Sequence, residues 1–163
     1  MPKLALLLAT ATLAFGVAAG SAANAVPTNP VQQSPIVVRI TDTPLFLASP
    51  HCPILLLRVE LRAASGHVIG SSDFCFLTDE ISGDTETFTE VATFDLPGGT
   101  IDAYVTQVDL LLPSADLVSF TGTVTRGTGQ YLGASGTLAG GGLITFDENG
   151  VPNPDLILVI TLS

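Results

Sequence analysis

Two pairs of side chains have residue types and spacings that could carry chemistry. Arg58 and Glu60 lie two positions apart, and so do Asp102 and Tyr104. Both pairs fall in apolar-rich runs that resemble β-strands, in which residues two positions apart share a face. An arginine held beside a carboxylate in a low-dielectric cavity can orient a polar ligand group or move a proton. These four residues are therefore the candidate catalytic residues.

The arginine-containing run also has a simpler interpretation. Alternation places Arg58, Glu60 and Arg62 on one side of the run and Leu57 and Val59 on the other. Charged residues that alternate with apolar ones are typical of a strand with one face in water. A solvated outer face is the favoured interpretation, and a charged patch inside the fold is the alternative.

The two cysteines, Cys52 and Cys75, are 23 positions apart. In an exported protein a lone pair of cysteines is expected to form a structural disulfide. The alternatives are a reactive thiol next to His51 or a metal-bound thiol. The two cysteines and two histidines lack the spacing of a recognised zinc site, so we expect no bound metal.

Two acidic stretches, residues 79–86 and 147–150, could offer oxygen ligands to a calcium ion. Neither has the spacing of a twelve-residue calcium loop, so solvated acidic turns are favoured. Nothing in the sequence indicates a cofactor.

The N-terminal residues have the layout of a secretory signal peptide. Lys3 precedes an uncharged apolar run at residues 4–19, and small residues at Ala23 and Ala25 suit a signal peptidase. A membrane anchor is the alternative, but a span needs about 20 apolar residues and this run is shorter. We therefore expect a signal peptide at 1–25, a flexible leader at 26–34, one domain at 35–163, and secretion to the cell exterior.

Net charge excludes several partners. The 163-residue chain has 15 acidic and 5 basic side chains, a formal net charge of -10. Without Lys3, four arginines remain against the same 15 acids, a net charge of -11. Such a chain repels dense phosphate, so neither nucleic acid nor an anionic membrane surface is an expected partner. With 47% apolar residues, it is also unlike an acidic disordered chain.

After residue 34 the pattern is that of strands and turns. Eight runs rich in Val, Ile, Leu, Thr and Phe are separated by Gly, Pro, Asp, Asn and Ser. They span residues 35–42, 53–63, 67–78, 86–96, 100–112, 117–126, 131–146 and 155–162. Short links force antiparallel neighbours. Eight antiparallel strands in chain order can fold into a sandwich or close into a barrel. Closure into a barrel removes the exposed strand edges that would otherwise promote aggregation. We predict an all-β fold, an eight-stranded antiparallel up-and-down β-barrel.

The most distinctive stretch, residues 124–138, contains closely spaced glycines and one aromatic residue. We predict a tight glycine hairpin with an aromatic anchor and small residues that allow close packing. A phosphate-binding loop is the rival interpretation, but no Gly-Lys-Ser/Thr follows and the next element is a strand. The residues of this structural motif are Gly127, Gly129, Tyr131, Gly133 and Gly136.

The pattern Gly-Thr-Gly-x-aromatic-x-Gly-Ala-x-Gly resembles the signature of the allene oxide cyclase barrel-like and dirigent-like superfamily. Residues 94–101 resemble the hairpin upstream of that signature in bacterial secreted members, and the resemblance covers residues 86–146. The resemblance implies an eight-stranded antiparallel barrel of the calycin-like or dirigent-like kind. Plant members steer phenoxy-radical coupling or cyclise an unsaturated fatty-acid epoxide. The matched motif builds the barrel and carries no catalytic residue with it.

Three functions from different classes follow. The first is a secreted barrel that binds a small hydrophobic or aromatic molecule and steers its chemistry in a dirigent-like way. The second is a cyclase or isomerase of the allene oxide cyclase type, since no Ser-His-Asp order or paired-carboxylate spacing supports a hydrolase. The third is a ligand-free extracellular structural or interaction barrel. Dirigent relatives suggest assembly into a homo-oligomer, by analogy alone.

Overall fold

The computed structural model describes residues 34–163, so the predicted signal peptide and nearly all of the predicted leader lie outside the described residues. Within this range the chain forms nine β-strands and a single-turn 3-10 helix, Gly129–Tyr131. The strands are β1 (Ile36–Ile40), β2 (Leu45–Leu47), β3 (Leu55–Arg62), β4 (Val68–Ser82), β5 (Thr85–Leu96), β6 (Gly99–Leu112), β7 (Ala115–Gly127), β8 (Gly136–Phe146) and β9 (Pro152–Leu162).

Eight of these strands form a closed antiparallel barrel, which confirms the predicted fold class. Strands β3 to β9 pair in chain order. β1 pairs with β9 from Ile36 opposite Ile160 to Ile40 opposite Leu156. β1 also meets β3 where Arg39 lies opposite Arg62, and this pairing closes the ring.

The short strand β2 lies outside the ring. It pairs with β3, with Leu45 opposite Arg58 and Leu47 opposite Leu56. This strand was not predicted from the sequence, because three residues are too few to show an alternating pattern.

Strict alternation explains why these residues form barrel strands. On β9, Pro154, Leu156, Leu158, Ile160 and Leu162 are buried, and the residues between them are half-buried or exposed. The same pattern on the other strands fills the lumen with one core. Its largest fully buried apolar side chains are Phe94, Leu61, Ile101, Leu138, Leu158 and Ile160.

One end of the barrel is closed by the glycine motif. Tyr131 is buried, and its hydroxyl donates a hydrogen bond to the carbonyl oxygen of Pro97 at 3.3 Å. The Gln130 side-chain amide donates to the same oxygen at 2.8 Å. A Cβ on Gly127 would overlap the Tyr131 carbonyl oxygen, so only glycine fits this crossing.

The motif corrects one sequence prediction. Instead of a tight hairpin that leads into a strand at residue 131, the chain makes the 3-10 turn around Tyr131 and begins β8 only at Gly136. Gly129 and Gly133 take positive φ angles of 58° and 79°, which end the regular strand geometry between β7 and β8.

The predicted disulfide is present. Cys52 and Cys75 are bonded, with their Cα atoms 5.3 Å apart. Cys75 lies on the outer face of β4, between the inward-facing residues Phe74 and Phe76. The bond therefore holds the connection between β2 and β3 against the outside of the barrel.

Candidate ligand site in the barrel lumen

The four candidate catalytic residues lie on the outer face of the barrel. The guanidinium of Arg58 donates hydrogen bonds to both carboxylate oxygens of Asp73, its partner on β4, at 2.6 Å each. Glu60 pairs with Arg62 at 2.8 Å. The favoured outer-face interpretation of this run agrees with the structure, and the alternative of a charged patch inside the fold is wrong.

The second candidate pair, Asp102 and Tyr104, also lies on the outer face, on β6. Asp102 forms an ion pair with Arg126 of β7 at 2.7 Å and accepts a hydrogen bond from Thr93 at 2.9 Å. The side chain of Tyr104 is about half exposed on the same face. The structure does not bring this pair together with Arg58 and Glu60, because β4 and β5 lie between β3 and β6 in the sheet.

The lumen contains an apolar cavity near the barrel end that carries the β4–β5, β6–β7 and β8–β9 hairpins. This recess has a volume of about 70 Å³ and is partly open to solvent at its mouth. Its wall is formed by apolar side chains and one polar residue, Gln107. The lining residues are Ile40, Pro44, Leu57, Val59, Phe74, Phe76, Gln107, Phe120, Ile144, Pro152, Pro154 and Leu156.

Gln107 connects this cavity to a buried carboxylate. Its side-chain amide donates hydrogen bonds to both oxygens of Asp109, at 2.9 and 2.8 Å. The two residues are only 8% and 5% exposed, and their positions on β6 place both side chains on the inward face. Burial raises the pKa of Asp109 to about 6, and the hydrogen bonds from Gln107 oppose that rise.

A second carboxyl group is buried more deeply. Glu90 on β5 is 0% exposed, and neither of its oxygens finds a hydrogen-bond partner among residues 34–163. It lies between Phe76 on β4 and Val105 on β6. Burial is the main cause that raises the pKa of Glu90 to about 8, and the nearby charge of Asp109 adds to it.

Two more carboxyl groups lie on inward-facing positions closer to the hairpins. Glu86 lies directly opposite Asp109 across the β5–β6 pair, and Asp116 lies on β7 opposite Leu111. Burial raises the pKa of each, and for Glu86 the neighbouring charge of Asp79 raises it further. We call this end, defined by Glu86, Asp109 and Asp116, the acidic end.

The two buried carboxyl groups differ in protonation at neutral pH. With a pKa of about 8, Glu90 holds its proton at pH 7, whereas Asp109 with a pKa of about 6 is mostly ionised. A neutral acid near a carboxylate, beside an apolar cavity, is an arrangement that can donate a hydrogen bond and accept a proton. Neither carboxyl group is among the lining residues of the cavity, but each has a neighbour in its wall: Gln107 is bonded to Asp109, and Phe76 lies opposite Glu90.

Sequence reasoning missed Glu90, Gln107 and Asp109. A signal was nevertheless present, because Glu90 shares its face of β5 with Ala92 and Phe94. Gln107 and Asp109 likewise continue the apolar face of β6 that begins at Ile101. An acid or amide on the apolar side of an alternating strand indicates a polar group in the lumen.

Of the two acidic stretches predicted as turns, residues 79–86 form mostly the paired ends of β4 and β5, so that prediction is wrong except at 83–84, and residues 147–150 do form a turn. The carboxylate of Asp147 accepts backbone hydrogen bonds from Asn149 and Val151 at 2.8 Å each, which holds the β8–β9 turn and lowers the pKa of Asp147. Within residues 34–163 no three metal-ligating side chains are grouped to hold an ion. The same part of the chain has no helix long and apolar enough to cross a membrane.

Comparison with known proteins finds one similar fold. No protein-family model matches the chain, and no curated protein matches it in sequence. A solved structure described as a pyocyanin demethylase aligns with a TM-score of 0.52 and 18% sequence identity, over 79% of this chain and 99% of that one. What the two share is the barrel. The expected relationship to the allene oxide cyclase and dirigent-like proteins stays a prediction.

Proposed function

We propose that this protein binds one small hydrophobic or aromatic molecule in the barrel lumen, through the mouth at the acidic end. The observation that carries the proposal is the cavity itself, an apolar recess with Gln107 as its polar group. The interior of an eight-stranded barrel is either filled by side chains or holds one small ligand, and the cavity favours the second case here. The similar solved structure is named for its action on a small molecule, pyocyanin, which fits the same class of function.

Cavity size limits the ligand. An apolar cavity of about 150 Å³ holds benzene, and this one is about half that volume. We therefore expect the apolar part of the ligand to occupy the lumen only in part. The remainder lies at the mouth, against the rings of Pro44, Pro152 and Pro154.

The binding proposal is tested by filling the cavity. Ile144 faces the lumen and lines the recess, whereas its neighbour Leu143 is exposed on the outer face. Phenol and indole, titrated while the methyl signals of Leu156 are followed by NMR, should bind with micromolar to millimolar affinity. Ile144→Phe should weaken binding at least tenfold and Leu143→Phe should leave it unchanged. Equal effects of the two substitutions, or no binding of either compound, would contradict the proposal.

A second function, proton transfer within the bound ligand, is favoured by the Asp109 carboxylate that hydrogen bonds hold next to Gln107, the polar residue of the cavity wall. In a ketone ligand whose polar end reaches Gln107, Asp109 would take a proton from the carbon next to the carbonyl and return it to the carbonyl oxygen, which yields the enol, while Glu90 keeps its own proton. This is the isomerase alternative of the sequence analysis, with residues other than Arg58 and Tyr104. Deuterium uptake from D₂O into a bound ketone, lost in Asp109→Asn, would establish it. A dirigent-like role would instead use confinement alone and would survive that substitution.

We also propose that the chain is exported. The layout of residues 1–25 and the disulfide between Cys52 and Cys75 support this, because disulfides persist in oxidising compartments. Mass spectrometry of the protein from culture medium should find Val26 as the first residue.

A further inference from the structure

All basic side chains of residues 34–163 lie outside the lumen. Each of the four arginines in residues 34–163 forms an ion pair with an acid on the outer surface. The pairs are Arg39–Asp155, Arg58–Asp73, Arg62–Asp42 with Arg62–Glu60, and Arg126–Asp102. His67 shares a hydrogen bond with Ser65 in the β3–β4 turn at the opposite end, and His51 is exposed in the loop before β3.

Among the described residues, the ionisable side chains on the inward face at the acidic end are all acidic. Glu86, Asp109 and Asp116 lie on three neighbouring strands, and Glu90 lies two inward-facing positions deeper than Glu86 on β5. These groups act on one another: Glu86 and Asp116 repel the charge of Asp109, and Asp109 repels that of Glu90. Among residues 34–163 no arginine forms an ion pair with any of these four carboxyl groups.

The carboxyl group of Glu90 is a second, independent observation at the acidic end, because it is buried without a hydrogen-bond partner in the described chain. A buried carboxyl group without a hydrogen bond is costly, and both of its oxygens lack one within the described chain. Its cross-strand neighbour Phe76 forms part of the cavity wall. A positive group bound in the mouth would lower the cost of ionising Glu90 and would balance Asp109.

Gln107 adds the hydrogen-bond acceptor such a group needs. Because its amide nitrogen donates to Asp109, its carbonyl oxygen is left as an acceptor, and no donor from residues 34–163 is bonded to it. An ammonium group carries three donors and no acceptor. The oxygens of Gln107 and Asp109 therefore match a cation better than they match an anion.

We infer that the ligand of this barrel is an organic cation, a small apolar body that carries a protonated amine. Part of the apolar body occupies the recess lined by Phe76, Phe120 and Ile144, and the amine donates to the side-chain oxygen of Gln107, next to Asp109. This inference rests on the proposed binding function and specifies its ligand class.

Three matched compounds test the inference on the mature protein: benzylamine in its protonated form, benzyl alcohol and benzoate. In calorimetric titrations at pH 7.5 and low salt, benzylamine should bind at least tenfold more tightly than benzyl alcohol, and benzoate should not bind. Repeating the titration in buffers of different ionisation enthalpy should show proton release by the protein, because the bound cation favours the ionised form of Glu90.

Two lumen variants and one surface control distinguish an effect of the lumen carboxyl groups from an effect of the protein's net charge. Glu90→Gln and Asp116→Asn should each reduce the preference for benzylamine over benzyl alcohol severalfold. Asp95→Asn makes the same change of charge on the outer face of β5 and should leave the preference intact. A preference that survives both lumen substitutions would overturn the inference, since it would come from the net charge of the whole protein.

The outcomes also separate this inference from the binding proposal. If benzyl alcohol binds as tightly as benzylamine, the ligand class is wrong while the binding barrel stands. If none of the three compounds binds, nor phenol nor indole, both proposals are overturned.

Discussion

The side-chain amide of Gln107 donates hydrogen bonds to both carboxylate oxygens of Asp109, two positions further along β6. Because both side chains are buried in the lumen, this contact keeps an ionised carboxylate inside a largely apolar barrel. Hydrogen bonds to a charged group contribute about 1.5–3 kcal/mol to stability, more than bonds between neutral groups.

Gln107→Leu should therefore destabilise the protein in a pH-dependent way. At pH 8 Asp109 is ionised, and we expect a loss of about 1.5–3 kcal/mol in the free energy of unfolding. At pH 5, below the Asp109 pKa of about 6, the carboxyl is protonated and the loss should be smaller. Urea unfolding at both pH values measures the effect, with Thr106→Val on the outer face of the same strand as the control. An equal loss at pH 5 and pH 8 would show that the amide does not act on the ionised form.

Glu90 should make the whole protein less stable as the pH rises. Its pKa of about 8 in the folded state exceeds the value of about 4.3 expected in the unfolded chain, so proton binding favours folding. The stabilisation is complete below about pH 4 and is lost as the pH rises towards 8. Between pH 5 and pH 8 the free energy of unfolding should fall by on the order of 3 kcal/mol, from 1.36 kcal/mol per pKa unit.

Glu90→Gln isolates this contribution. The variant cannot ionise at this position, so its stability should change less between pH 5 and pH 8 and should exceed that of the parent protein at pH 8. Thermal unfolding across this range measures both, and Glu148→Gln in the exposed β8–β9 turn is the control. A parent protein whose stability is flat over this interval would show that Glu90 is not held neutral.

The strands were predictable because each has a local cause. Alternation along β9 and turn residues such as Pro113 and Gly150 determine where strands begin and end, without long-range information. The 3-10 turn at Tyr131 was not predictable in this way. Its conformation depends on hydrogen bonds to Pro97, which is 34 residues away in the sequence.

The site was harder to predict, because alternation separates two faces without saying which one is inside. For β3 the two faces differ clearly in polarity, so the apolar face is the inward one: Val59 and Leu61 are buried and Arg58 is exposed. For β5 the inward face mixes Glu90 with Phe94, and such a residue looks like a solvated acid until the partner strands are known. The hydrogen bond between Gln107 and Asp109 depends on side-chain geometry that spacing alone does not determine.

Gly127 should be far less tolerant of a side chain than Gly133. A Cβ at Gly127 overlaps the backbone carbonyl of Tyr131, whereas around Gly133 nothing lies within 4 Å and the cost comes from its φ of 79° alone. We expect Gly133→Ala to cost about 1 kcal/mol, the usual cost of the left-handed conformation for a non-glycine residue. Gly127→Ala should cost more than 2 kcal/mol, because the turn that closes the barrel must shift. Similar melting temperatures for the two variants would contradict the close packing at this end.

The outer-face pair of Arg58 and Asp73 should contribute little to stability and nothing to ligand binding. Exposed ion pairs contribute about 0–1 kcal/mol, and the side chain of Arg58 is half exposed. Arg58→Ala and Tyr104→Phe should each change the free energy of unfolding by less than about 1 kcal/mol and leave the affinity for benzylamine within twofold. Asp109→Asn is the positive control and should weaken that affinity severalfold. If Arg58→Ala weakened binding as much as Asp109→Asn did, the ligand would have to bind on the outer face near Arg58, and the lumen would not be the site.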